Sequence, residues 1–334
     1  MNFKTLYIIL FTCFSITVQA QDPIFTQYFI IPETLNPGYT GFLETTYAGI
    51  LHRSQWPDLN LKVDTDYAFV NTWSEKMNSG IGGSVLSHRE NNTNYSLTEF
   101  NLNYSYRVAL NDNWYFRPGI ELGFGTKSFG FGGLVLGDQI NIGSGTINGS
   151  SVDPTVLNNK FTFFDFSAGM LVNNQEAWFG LSLKHLNKPN ISFVEEGNVP
   201  LDMFFSASMG YEFLLADYID VLTFPYDTKF LISANYMNQG SYNRLDFGSS
   251  LMFKTVYFGV STATNPWRQS GNSHLVTSVN AFGGLQYEHF KFGLSHDFST
   301  SKIGKSGGIY ELSLTYQFDL NVKCFGCPNY ENRQ

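Results

Sequence analysis

The sequence predicts an all-β protein, a closed transmembrane barrel of about 14 antiparallel strands in a bacterial outer membrane. Three observations predict it. The chain is aromatic and charge-poor: its 334 residues include 32 Phe, 19 Tyr and 31 Gly, and 14% are Asp, Glu, Lys or Arg, against about 25% in ordinary soluble domains. Period-two alternation, one apolar face against one polar face, recurs along nearly the whole length. The connections between these segments alternate between short and long, as expected of a barrel with one trimmed end and one looped end.

The first twenty residues, MNFKTLYIILFTCFSITVQA, read as a secretory signal peptide. Lys4 supplies the positive start, Leu6 to Ile16 the apolar stretch, and Val18-Gln19-Ala20 the small-residue site, with cleavage between Ala20 and Gln21. Cys13 lies in the apolar stretch and leaves with it. No later stretch reaches about eighteen apolar residues, so helical membrane spans are not expected. Export implies an oxidising compartment, yet only Cys324 and Cys327 remain, too few for a disulfide-stapled scaffold. The net charge of −8 and the lack of a Lys/Arg stripe exclude nucleic acid as a partner.

Residues 21–43 precede the first strand as an arm, QDPIFTQYFIIPETLNPGYTGFL. Pro37-Gly38 marks a turn, and Gly41 can adopt backbone angles that other residues resist. Phe25, Tyr28, Phe29 and Ile31 are too apolar for an unattached segment. Phe25, Tyr28 and Phe29 are the candidate contacts. The arm either enters the barrel mouth as a plug or rests on the periplasmic rim.

Strands are predicted at 44–55, 62–76, 80–89, 94–109, 114–128, 161–172, 176–186, 203–215, 228–238, 243–253, 256–263, 274–287, 291–299 and 308–318. The barrel thus spans 44–318, with an even strand number, as bacterial single-chain barrels have. In the last strand Tyr310, Leu312, Leu314, Tyr316 and Phe318 share one face, while Glu311, Ser313, Thr315 and Gln317 share the other. Phe100, Leu102, Tyr104, Tyr106 and Val108 likewise oppose Asn101, Asn103, Ser105 and Arg107. The polar faces carry Glu99, Arg107, Arg117, Glu121, Asp165, Glu212, Lys291, Asp297 and Glu311. Alternation alone fits two assignments: polar inside and aromatic toward lipid, or the reverse in a soluble sandwich. The signal peptide, the even count and the loop parity select the barrel. Tyr316 and Phe318 then sit in the interfacial aromatic girdle.

With the N-terminus periplasmic, the internal turns are 77–79, 110–113, 173–175, 216–227, 254–255 and 288–290. All are short except 216–227, for which the sequence offers no reason. The two longest loops, 129–160 and 187–202, fall outside. Loop 129–160 is rich in Gly, Ser and Asn but has no phosphate-cradling pattern. Residues 319–334 form a periplasmic tail. Its Cys324-Phe-Gly-Cys327 spacing fits a local disulfide, two free thiols, or half a metal site completed by a partner. The six His residues are scattered without matching spacing, and no βαβ context supports a redox enzyme. No nucleophile elbow or metalloprotease motif appears. The expectation is a protein that is not an enzyme and needs no cofactor.

The N-terminal stretch from Gln21 to Gly41, leading into Asn36-Pro37-Gly38 and Gly41, resembles the start of the PorP/SprF family of type IX secretion system membrane proteins of Bacteroidota. His52-Arg53-Ser54-Gln55-Trp56 is similar to the Arg-x-Gln-Trp element that follows. Glu311-Leu312-Ser313-Leu314 and then Cys327-Pro328 resemble the family's last strand and short tail, although this tail continues from Asn329 to Gln334. The resemblance covers essentially the whole mature chain. It implies an outer-membrane barrel that assists type IX secretion, gliding-type adhesins among its cargo. Cargo with a C-terminal sorting domain and a periplasmic lipoprotein or ring component are the implied partners, besides lipid. Two other readings stand beside it: a porin-like or hydrophobic-solute transport barrel, and a soluble β-sandwich binding module.

Overall fold

The structure is a computed structural model that describes residues 22–59, 61–130, 135–151, 160–193, 197–218, 225, 227–267, 275–300 and 306–318. Fourteen strands make the wall: β1 Tyr47–Gln55, β2 Val63–Ser74, β3 Ser79–Glu90, β4 Tyr95–Tyr106, β5 Tyr115–Ser128, β6 Lys160–Asn173 and β7 Ala177–Lys184. They are followed by β8 Phe204–Leu214, β9 Lys229–Gln239, β10 Tyr242–Phe253, β11 Val256–Thr264, β12 Val276–Tyr287, β13 Phe290–Ser299 and β14 Ile309–Gln317. The line of β4 continues past Arg107 as Val108–Ala109, paired with Phe116 and Tyr115 of β5.

Each strand pairs antiparallel with its chain neighbours, and β1 pairs with β14 from Tyr47↔Gln317 to Gln55↔Ile309, so the sheet closes on itself. Closure removes the open edge that hydrocarbon does not tolerate. Leu102 is 69% exposed and Leu312 56%, whereas Ser105 and Glu311 are 0% exposed. The apolar face therefore points outward and the polar face inward, which is the arrangement for a wall standing in lipid. The predicted soluble-sandwich reading is thereby set aside.

At one end the connections are short, as at 254–255 and 288–289. The exception is 215–228, which opens with a 3-10 turn at Leu215–Asp217. At the other end lie the long ones, 129–159 and 185–203. The first contains a small hairpin, Ile140–Asn141 with Thr146–Ile147. The second is drawn together by a bridge between Asn190 and Pro200.

The inward face is not uniformly polar. Leu51, Tyr67, Phe69, Leu86, Leu97, Phe163, Met252 and Tyr257 point inward and form a core with Phe25, Ile30 and Ile31. On β2 the Tyr67 and Phe69 rings face inward while Asp66, Ala68 and Val70 face outward, and the inward rings are matched to the arm rather than to water.

Candidate functional site in the barrel lumen

The lumen is occupied by residues 22–46, which run through it from the long-loop end to the short-turn end. The arm starts beside the last residues of β7 and β9. The Asp22 amide donates to Gln239 Oε1 at 2.9 Å. The Asp22 carboxylate lies 2.7 Å from Nε2 of His185, whose Nδ1 lies 2.9 Å from Asp165. Burial opposes the charge on His185, but Asp22 and Asp165 outweigh it and raise its pKa to about 10. Asp22 is held below the usual carboxylate range: burial works against this, and the His185 charge and hydrogen bond prevail.

Further along, Glu311 of β14 gathers four donors. It accepts from the Thr26 amide at 2.8 Å, the Gln27 amide at 2.9 Å, Arg53 Nη1 at 2.5 Å and the Ser295 hydroxyl at 3.3 Å. The Thr26 hydroxyl donates to Asp297 at 2.5 Å. Gln27 completes its amide by donating to the Glu311 carbonyl at 3.1 Å and accepting from Ser313 at 2.7 Å. Charge-assisted bonds of this kind are worth about 1.5–3 kcal/mol each, and here they tie the arm to β13 and β14, with Arg53 of β1 on the same carboxylate.

Glu33 lies in the 3-10 turn Pro32–Thr34 and is buried, with Asn71 Nδ2 donating to it at 2.8 Å. Burial pushes its pKa up to about 7, only partly offset by hydrogen bonds. Asn36 then caps the 3-10 turn Pro37–Tyr39 by accepting from the Gly38 amide at 2.8 Å. Its Nδ2 donates to the backbone carbonyls of Met170 on β6 and Leu181 on β7, at 2.9 and 3.2 Å.

This part of the arm presses its backbone onto glycines of the wall. A Cβ on Gly119 would lie 2.5 Å from the Gly38 nitrogen and the Pro37 carbonyl carbon, and one on Gly80 would lie 2.6 Å from the Thr40 carbonyl carbon and 2.8 Å from Gly41 Cα. Gly41 itself has φ +66°, the left-handed region in which glycine pays least. The arm ends on Glu44, which binds Arg107 and, at 2.7 Å, Arg117. Both guanidiniums also lie over the Trp73 ring, at 4.7 and 5.3 Å.

Of the residues singled out from the sequence, Phe25 packs on Tyr67 with ring centroids 5.8 Å apart, and Phe29 on Phe282 at 4.6 Å. Tyr28 clusters with Leu35, Phe204 and Met237. Ala20, Gln21, Cys324 and Cys327 lie outside the described residues. Sequence reading did not single out Asp22, Glu33, Asn36, Glu44 or Glu311 as anchors. Pro37-Gly38 is visible in the sequence as a turn, but nothing in it marks glycines 80, 119 and 169 as points of close approach. Among the described residues no group of three His, Cys, Asp or Glu is placed to hold a metal ion, and no helix is long and apolar enough to cross a membrane.

A family model, "Type IX secretion system membrane protein PorP/SprF", matches residues 17–316. The chain belongs to the PorP/SprF family. That membership and the closed wall place this PorP/SprF protein in the outer membrane as a component connected with type IX secretion. The family is one of secretion and transport components and not a known enzyme family. No curated protein matches the sequence. Among solved structures the barrel is similar to the CymD monoaromatic hydrocarbon channel, with 11% identity over 90% of this chain and 95% of that one, TM-score 0.49. It is also similar to the P. putida toluene transporter TodX, with 7% identity over 86% and 94%, TM-score 0.47. For the KdgM porin the identity is 10% over 82% and 99%, TM-score 0.37.

Proposed function

We propose that this PorP/SprF barrel is a non-catalytic accessory of type IX secretion that helps deliver cargo, such as adhesins, or attach it at the cell surface. In this reading the long-loop end faces outward and meets cargo bearing a C-terminal sorting domain. The short-turn end and the tail 319–334 face the periplasm and meet a lipoprotein or ring component of the machinery. The supporting observation is the filled lumen: an interior bonded to its own arm from Asp22 to Glu44 serves poorly as an open conduit and leaves the two ends as working surfaces.

The test is affinity purification from the native outer membrane, followed by identification of what accompanies the barrel. Co-purification of a surface protein and a periplasmic component is expected. Deletion of residues 320–334 is expected to leave the barrel inserted and to weaken capture of the periplasmic component. Unchanged partners after that deletion would remove the role given to the tail. Steady conductance or solute uptake by the reconstituted protein, with no co-purifying machinery, would favour the transport reading instead.

A further inference from the structure

Between the arm and the wall, in the short-turn half of the barrel, lies a cavity of about 80 Å³. Its walls are largely aromatic, with Phe29, Tyr39, Tyr47 and Trp178 among the lining side chains. Lys291 of β13 enters the same cavity. It lies on the inward face, two residues before Gly293 and four before the buried Ser295, and pairs in register with Thr315 and Gln286. Its ammonium stands 4.7 Å above the Tyr257 ring, and that ring is 2% exposed and fixed by a hydrogen bond to the Phe292 carbonyl.

What distinguishes Lys291 is the lack of a counter-charge. Arg53 has Glu311, Arg117 has Glu44, Lys184 has Glu121, Lys229 has Glu212, and Arg244 has Asp246. Lys127 has no direct ion pair, but it feels the charges of Glu99, Asp22 and Asp165. Lys291, among the described residues, has no such ion pair; its ammonium has the Tyr257 ring instead. Glu33 lines the same cavity but is tied to Asn71 instead. An inward cation in an apolar surround is costly unless something pairs with it.

We propose that the cavity is a binding site for a small organic carboxylate, whose charged end pairs with Lys291 and whose short apolar body lies against the aromatic walls. The size follows from the volume. A cavity of about 150 Å³ accepts one benzene ring, so the roughly 80 Å³ here suits an aliphatic body of about three carbons beyond the carboxylate. Glu33 does not cancel the site, because its carboxyl stays largely protonated below neutrality. The site does not depend on which secretion partner the barrel serves, and its occupant is a solute rather than cargo.

The test uses the full-length purified barrel in detergent. Binding of radiolabelled butyrate is followed by equilibrium dialysis at about pH 6, below the Glu33 value, against a detergent-only blank. Saturable binding is expected, with neutral butyramide competing at least tenfold more weakly. Lys291→Met should lose at least tenfold in affinity, and Lys291→Arg should retain binding. Heat-modifiable gel migration verifies that both variants form the barrel. If either misfolds, the butyrate-against-butyramide comparison on the natural protein still decides. Absence of saturable binding, equal competition by butyramide, or wild-type affinity in a folded Lys291→Met barrel would each overturn the proposal.

Discussion

Replacing Gly119 by Ala should push the arm off the wall. The added methyl would lie 2.5 Å from both the Gly38 nitrogen and the Pro37 carbonyl carbon, and 2.6 Å from the Pro37 oxygen. All three are backbone atoms, so no side-chain rotation relieves the overlap. Reaching a normal separation of about 3.5 Å requires the arm to retreat by about 1 Å. That retreat stretches the two bonds by which Asn36 Nδ2 holds the carbonyls of Met170 and Leu181. Overpacking costs about 1–3 kcal/mol and losing one or both bonds about 1–2 kcal/mol, which together give about 2–5 kcal/mol. At about 1.4 kcal/mol per decade, the population with the arm displaced rises roughly 30- to 4,000-fold. Limited proteolysis of the arm in detergent and conductance in planar bilayers read that population. Faster cleavage within residues 22–46 and new opening events are expected for Gly119→Ala, and the same for Gly80→Ala. Gly137→Ala is the control, because a Cβ there meets nothing within 4 Å. A correctly folded Gly119→Ala barrel whose arm is as protected as in the natural protein would refute the close-approach reasoning.

Two further perturbations follow from the charges on and around the arm. The Glu33 carboxyl is raised from 4.5 to about 7, so the folded form binds its proton more tightly than the unfolded chain does. Its contribution is full below pH 4.5 and falls as pH rises through about 7, by about 3 kcal/mol in all. Glu33→Gln should flatten the pH dependence of arm protection across that window, and an unchanged slope would show that another group titrates there. At the opposite end of the arm, His185 is raised from 6.5 to about 10, so its contribution is full below pH 6.5 and lost as pH climbs through 10. Asp22 is lowered from 3.8, so its share is present above pH 3.8 and lost as pH falls through the lower value. His185→Gln should therefore expose residues 22–25 to protease near neutrality while Gly38–Gly41 stay protected. Cleavage unchanged at both places would argue against the clamp.

The wall was legible in the sequence because lipid imposes a strict rule on it. Every second residue of a span must be apolar, so the predicted 114–128 and 243–253 fall within one residue of Tyr115–Ser128 and Tyr242–Phe253. The alternation predicts a first strand from residue 44, but the wall begins at Tyr47. Glu44 has φ 55° and bends the chain so that its carboxylate meets Arg107 and Arg117, a partnership more than sixty positions away that no local pattern encodes. The same limit hid Glu311 and His185 as anchors. Each looks like ordinary lining until the register brings its partners alongside. The inward Tyr67 and Phe69 were invisible for a different reason. Alternation reports a contrast between faces but not which face is inside, and on β2 the rings lie inward while Asp66 and Ala68 lie outward.

Arg53 and Glu311 are opposite one another across the pair that joins the first strand to the last. The same carboxylate receives Thr26 and Gln27. The seam of the cylinder and the seat of its stopper are therefore one contact. A wall zipped out of register by even a single residue would turn Glu311 toward the acyl chains and strand an arginine, so the arm finds its seat only on a cylinder whose two end strands are correctly matched.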